Sequence, residues 1–196
     1  LSRTTAGLAA MSLIAAVGVA GCEGNVARRA GQAGRSTSAG AHNDADVTFA
    51  GRMVLHHQLA LRMVSTADFQ AKSPAVKKLA AAIKVTEEQE LKQLLAWLGS
   101  WGAAIPSPRH DEDPAGEVPG TMTEDDWSEL GNAKGTKFDR LWLQLMIKQY
   151  QGAIELAKTE QSTGSDAKAK AFASRLQATQ STEVAGMQKL LGQLPS

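Results

Sequence analysis

One segment of the chain returns 93 residues later. Met53-Val54-Leu55-His56-His57-Gln58-Leu59-Ala60 is matched by Met146-Ile147-Lys148-Gln149-Tyr150-Gln151-Gly152-Ala153. The same offset pairs Asp46 with Asp139, Lys77 with Lys170, Ala80 with Ala173, Thr86 with Thr179, Glu90 with Glu183 and Leu98-Gly99 with Leu191-Gly192. One unbroken register over both halves describes a duplicated unit that buries its apolar face against its own copy. The copies part at one informative place, where the adjacent histidines of the first become Gln149 and Tyr150 in the second.

Each copy reads as a helical hairpin. Positions 46, 49, 50, 53, 57, 60, 63 and 64 recur at helical spacing, and Asn43 or Asp44 is placed to cap the helix that carries them. Ser73-Pro74 opens a second helix that runs to about Trp101, since proline is tolerated in a first turn. Four prolines between Ala103 and Gly120 mark an irregular crossover, and Thr123 with Asp126 has the capping-box spacing of a short helix. Helices over Phe138 to about Glu160 and Asp166 to Leu194 complete the second copy. The expectation is an all-α, ferritin-like four-helix bundle at residues 42–195, with repeat one at 42–102, the crossover at 103–135 and repeat two at 136–195. An open pair of hairpins closed by a homodimer partner is the alternative.

Residues 1–41 stand apart from this pattern. Leu8 to Ala20 is apolar and small behind Arg3, as in a secretory signal peptide over 1–21. Val19-Ala20-Gly21-Cys22 resembles a bacterial lipobox, which implies lipidation of Cys22 and a membrane partner through that lipid. The Gly-, Ala-, Ser- and Arg-rich stretch to Ala41 then reads as a disordered tether. Localisation follows as the outer face of the cytoplasmic membrane in a bacterial envelope. Cys22 is the only cysteine, so neither an intrachain disulfide nor a thiolate zinc site is expected. A net charge of +1 argues against a nucleic-acid partner.

The polar residues of the inward stripes are the unusual ones. Asp46 and His57 share a face of the first helix with Met53 between them, and His56 is turned by about 100° from His57. One residue of helix phase decides which histidine points inward. On the second helix Glu87 and Glu90 interrupt the Ile83–Leu94–Trp97 stripe, and Asp139, Gln180 and Glu183 hold the equivalent places in the second copy. A buried carboxylate costs several kcal/mol unless it is paired or bound to a metal. Carboxylate with imidazole suits iron, manganese or zinc, and imidazole with thioether suits copper. The same residues also read as plain buried pairs that fix helix register, and spacing alone favours that reading. The Glu-x-x-His signature of di-iron bundles does not occur at Glu87, Glu90, Glu155 or Glu183.

At these residues the chain resembles the ferritin-like domain-of-unknown-function family numbered 305. The pattern runs His42-Asn43-x-x-Asp46-x-x-Phe49-x-x-x-Met53-x-x-His56-His57-x-x-Ala60-x-x-Met63, then Glu90-Leu91-x-x-Leu94-x-x-Trp97-Leu98. Met122-Thr123-Glu124 and Phe138-Asp139 through Met146-Ile147 follow. The resemblance covers about Ala41 to Leu194. It implies an exported or lipid-anchored protein, copper as cofactor in some members, and His42, Met53, His56, His57 and Met63 as ligand candidates. Asp46, Glu90, Asp139 and Glu183 are implied as structural or supporting acids, and Glu87, which stands where the family usually has Gln, is placed with them from the stripe it interrupts. The family's second His pair is replaced here by Gln149 and Tyr150, a common Met by Leu156 and another by Leu94, so any site is expected to be lopsided and centred on the first helix.

Three functions compete on this reading. The first is non-enzymatic copper binding or buffering by an envelope lipoprotein. The second is a metal-free helical scaffold or interaction module. The third is a di-metal oxidase or peroxidase built on Asp46, His57, Glu87, Glu90 and Glu183. No nucleophile–base arrangement and no Gly-rich phosphate loop accompanies the bundle, so enzyme readings are the weaker ones.

Overall fold

The computed structural model describes residues 41–107 and 118–195. The signal segment, Cys22 and nearly all of the tether lie outside the described residues, as does the middle of the crossover with His110. Among the described residues the protein is all-helical: α1 (Asp44–Gln70), α2 (Pro74–Trp101), α3 (Glu124–Asn132), α4 (Gly135–Thr163) and α5 (Ala167–Gln193).

The helix starts follow from local chemistry. The Asn43 side chain accepts from the Ala45 and Asp46 amides, and Asp46 returns the bond to the Asn43 amide, which closes a capping box. Ser73 caps α2 ahead of Pro74, and Thr123 with Asp126 forms a second capping box at α3. The third long helix begins at Gly135, three residues before the expected Phe138, because it starts without a side-chain cap that the sequence could advertise.

Helices α1 and α2 pack as one hairpin, α4 and α5 as the other, and α1 against α4 joins them. Because α1 contacts two neighbours, its buried surface is wider than a single stripe. His56 and His57 are both fully buried, although a rotation of 100° would leave one of them flanking a narrower face. Two apolar clusters fill the interior. One holds Met63, Ile83, Phe138, Trp142, Met146 and Met187; the other holds Phe49, Met53, Leu94, Leu98, Phe172 and Leu176.

The duplication reappears as pseudo-twofold contacts. Asp46 accepts from the Ser165 and Asp166 amides at 3.1 and 3.0 Å, and Asp139 accepts from the Lys72 and Ser73 amides at 2.9 and 2.8 Å. Each copy's first-helix aspartate therefore clasps the interhelical loop of the other copy. The end of the crossover lies against α4 at Gly152, where a Cβ would overlap the Pro119 carbonyl, and Gly120 turns there at φ +80°.

Candidate metal centre

The sequence candidates separate into distinct environments. His42 precedes α1 and stacks on Trp101 with ring centroids 4.9 Å apart. Fifteen residues, about 22 Å of helix rise, separate it from His57. Met53 and Met63 are fully buried in different apolar clusters, with about 15 Å of helix rise between them. One ion therefore cannot take His42, Met53, His57 and Met63 together. Asp46 is likewise about 16 Å of helix rise from His57 and is committed to the α4–α5 loop.

Each buried histidine donates one ring N–H to a backbone carbonyl. His56 Nε2 lies 2.7 Å from the Gln149 carbonyl, and His57 Nδ1 lies 2.8 Å from the Met53 carbonyl. A carbonyl only accepts, so the bonded nitrogens carry the protons. His56 Nδ1 is then left with a bare lone pair and no partner among the described residues. Burial, reinforced by the nearby His57, lowers the His56 pKa to about 3, so this ring is neutral at physiological pH.

His57 is different. Its Nε2 is 3.0 Å from Glu90 Oε2 and 3.4 Å from Glu87 Oε2. With Nδ1–H committed to Met53, a neutral His57 would turn a bare lone pair toward two carboxylates. A proton or a metal ion must stand there: a second proton on the ring, a proton on one of the carboxyls, or a metal ion. Burial works to lower the His57 pKa, but the carboxylates of Glu87 and Glu90 more than offset it, and the pKa rises.

Glu87 is 1 % exposed, and burial, aided by the charges of Glu90 and Glu183, pushes its pKa up to about 7 against the opposing pull of His57. Its carboxyl neighbours the Tyr150 hydroxyl, and burial followed by the Glu87 charge lifts the Tyr150 pKa well above its ordinary value. Glu183, on α5, is partly buried, and burial and Glu90 raise its pKa. The centre thus gathers His57 from α1, Glu87 and Glu90 from α2, Tyr150 from α4 and Glu183 from α5. His57 and Tyr150, like Glu90 and Glu183, are 93 residues apart, so the group follows the duplication.

Among the described residues no set of three or more His, Asp or Glu side chains stands ready-made around a point that could hold a metal ion. The donor chemistry fits one with a small adjustment. A ligating imidazole ordinarily donates its other N–H to a backbone carbonyl, as His57 does to Met53. Glu90 is 21 % exposed and has room to move. The donors facing His57 Nε2 are oxygens, and Met53 and Met63 are buried in apolar clusters.

Sequence reasoning had no sign of the His56–Gln149 contact, the nearness of Tyr150 to Glu87 or a buried Glu160 near Asp46. The offset of 93 was the usable signal for the first, since residues on a pseudo-twofold axis meet their own repeat mates.

Comparison with known proteins agrees with this architecture. The model of the family described as "Domain of unknown function (DUF305)" matches residues 46–191. None of the curated proteins matches the chain. A DUF305 protein of Streptomyces coelicolor, whose name marks it as a candidate secreted protein, is 26% identical, with a TM-score of 0.69 over 76% of this chain and 93% of that one. A DUF305 fragment from Deinococcus radiodurans is 24% identical, with a TM-score of 0.71 over 78% and 98%, and shares the fold. CopM in its Cu(II)-bound form is 26% identical, with a TM-score of 0.65 over 76% and 96%. CopM has also been solved with Cu(I) bound, at 25% identity, a TM-score of 0.62 and coverage of 76% and 96%. No described helix is long and apolar enough to cross a membrane. With the family model spanning most of the folded region, the chain belongs to the DUF305 family of helical proteins.

Proposed function

We propose that this protein binds a single metal ion at the His57 centre and holds it without catalysis, outside the cytoplasm and tethered through a lipidated Cys22. The carrying observation is His57 Nε2, aimed at two carboxylates while Nδ1 is committed to a carbonyl. Glu87 and Glu90 would supply oxygen donors, and a shift of the partly exposed Glu90 would close them on the ion. CopM, with bound copper, makes copper the first candidate. Imidazole and carboxylate donors favour Cu(II) over the softer Cu(I) or Ag(I), whose preferred thioethers are here buried in apolar packing.

The full chain, purified without a histidine tag, is expected to take up about one Cu(II) per molecule by elemental analysis after dialysis. His57→Gln and Glu90→Gln are expected to remove that uptake with the far-ultraviolet circular dichroism unchanged. Undiminished uptake in folded His57→Gln contradicts the assignment. A second reading rests on the ion pair as it stands: a protonated His57 is itself the counter-charge to Glu87 and Glu90, and the bundle is a metal-free scaffold. That reading predicts no retained copper and no change of melting temperature with copper or chelator.

A further inference from the structure

The two aspartate clasps are not equivalent. Beside Asp46 lies Glu160 of α4, 1 % exposed, whereas the repeat position beside Asp139 is Ala67. We propose that Asp46 and Glu160 form a proton-dependent clasp, which holds the α4–α5 loop to the start of α1 and weakens as pH rises, while the Asp139 clasp is insensitive over the same range.

The geometry places the proton. Asp46 is buried and its oxygens accept from the amides of Asn43 at 2.6 Å, Ser165 at 3.1 Å and Asp166 at 3.0 Å. Those donors favour the anion. Glu160 lies in the same buried corner, one turn before Gly164, and neither of its oxygens has a hydrogen-bond partner among the described residues. Two neighbouring buried carboxyls are tolerated only if one is protonated, and the donor-poor one keeps the proton. Gly164 makes the arrangement fit. Its amide donates to the Glu160 carbonyl at 2.8 Å, and a Cβ at Gly164 would overlap the Glu160 carboxyl.

The surrounding charges are mixed. From α1, Asp44 and Arg52 line the same cavity wall as Glu160. At the α5 end Asp166 disfavours the Glu160 anion and Lys170 favours it. Burial and then Asp46 prevail, and the Glu160 pKa is pushed up to about 8. In the folded state this acid keeps a proton that an opened loop, with an ordinary glutamate, releases above about pH 4.5. Each pH unit between about 4.5 and 8 therefore weakens the clasp roughly tenfold, and the effect levels off beyond.

The test is native-state hydrogen exchange on the full chain from pH 5.5 to 9, with protection factors corrected for intrinsic rates. The amides of Ser165 and Asp166 are expected to lose protection by about tenfold per unit up to about pH 8. Lys72 and Ser73, held by Asp139, are expected to stay flat and serve as the internal control. In Glu160→Gln the slope at Ser165 should vanish. Parallel profiles at the two clasps, or a slope that persists in Glu160→Gln, overturn the proposal. A carboxyl NMR titration of the unaltered protein is independent of how the variant folds: Glu160 should titrate far above an ordinary glutamate, together with a shift of the Ser165 amide. A midpoint near 4.5 overturns the proposal equally.

Discussion

His56 and Gln149, 93 residues apart, bond to each other in both directions. His56 Nε2 donates to the Gln149 carbonyl at 2.7 Å, and Gln149 Nε2 donates to the His56 carbonyl at 2.9 Å. They are each other's repeat mates, so the contact lies where the two copies meet. The second copy has exchanged imidazole for amide and kept the reciprocal pair. Gln149→Leu is expected to destabilise the fold by about 1 kcal/mol, the net worth of a buried hydrogen bond. His56→Ala, which also opens a cavity, is expected to cost roughly 2–4 kcal/mol. Urea denaturation measures both, and a neutral His56→Ala would contradict the buried pairing.

The buried acids set an unusual pH profile. His56 is held neutral to about pH 3, whereas its unfolded counterpart takes up a proton below about 6.5, so this contribution is lost as pH falls across that window. Asp46, whose pKa burial would raise but amide hydrogen bonds and the neighbouring Glu160 lower, loses its contribution at still lower pH. Glu87 and Glu160 work in the opposite sense. Their pKa values are raised to about 7 and about 8, so the native state keeps protons that the unfolded chain gives up above about 4.5. Their contribution is lost as pH rises to those values. Between about 4.5 and 6.5 two acids oppose one histidine, and above that the acids are joined by His57, whose raised pKa also gives up its contribution as pH rises. Chelator-treated protein is therefore expected to be most stable near pH 5 and to lose about 1.4 kcal/mol per unit for each net proton toward pH 8. Greater stability at pH 8 than at pH 5 would contradict these assignments.

The paired clasps predict additive effects. Asp46→Ala strands the Ser165 and Asp166 amides, and Asp139→Ala strands those of Lys72 and Ser73. Each is expected to cost about 2–4 kcal/mol, as charge-assisted hydrogen bonds are removed from buried carboxylates. The sites lie at opposite ends of α1, so the double variant should lose the sum within about 0.5 kcal/mol. A strongly sub-additive result in the denaturation midpoints would mean that the clasps are coupled.

Gly152 meets the end of the crossover without a side chain, because backbone occupies the place of its Cβ. Gly152→Ala raises helix propensity at that position, yet the overlap should outweigh it. A net loss of about 1–3 kcal/mol is expected in thermal or urea unfolding. Stabilisation would show that residues 118–120 do not pack as described.

Much of this was legible in the sequence, and the gaps have physical causes. The offset of 93 gave the two hairpins, and the caps at Asn43, Ser73 and Thr123 gave three helix starts, because capping is a local interaction between near neighbours. The polar stripe of His57, Glu87 and Glu90 was visible because charges interrupt an apolar period. Asp46 was placed on the correct buried face, but its partners are loop amides 119 and 120 residues away, which no periodicity encodes. Glu160 reads as an ordinary surface acid near a helix end. Only the bare Gly164 and the closeness of Asp46 make it a buried one. The ligand candidates of α1 share a helix face in projection, but 1.5 Å of rise per residue spreads them too far for one ion.

The most direct test of the metal-binding account is X-ray absorption at the copper edge on full-length protein loaded with one Cu(II). The account predicts a shell of nitrogen and oxygen with a single imidazole contribution, lost in His57→Gln. A sulfur shell from Met53 or Met63, or no copper retained after dialysis, would contradict it.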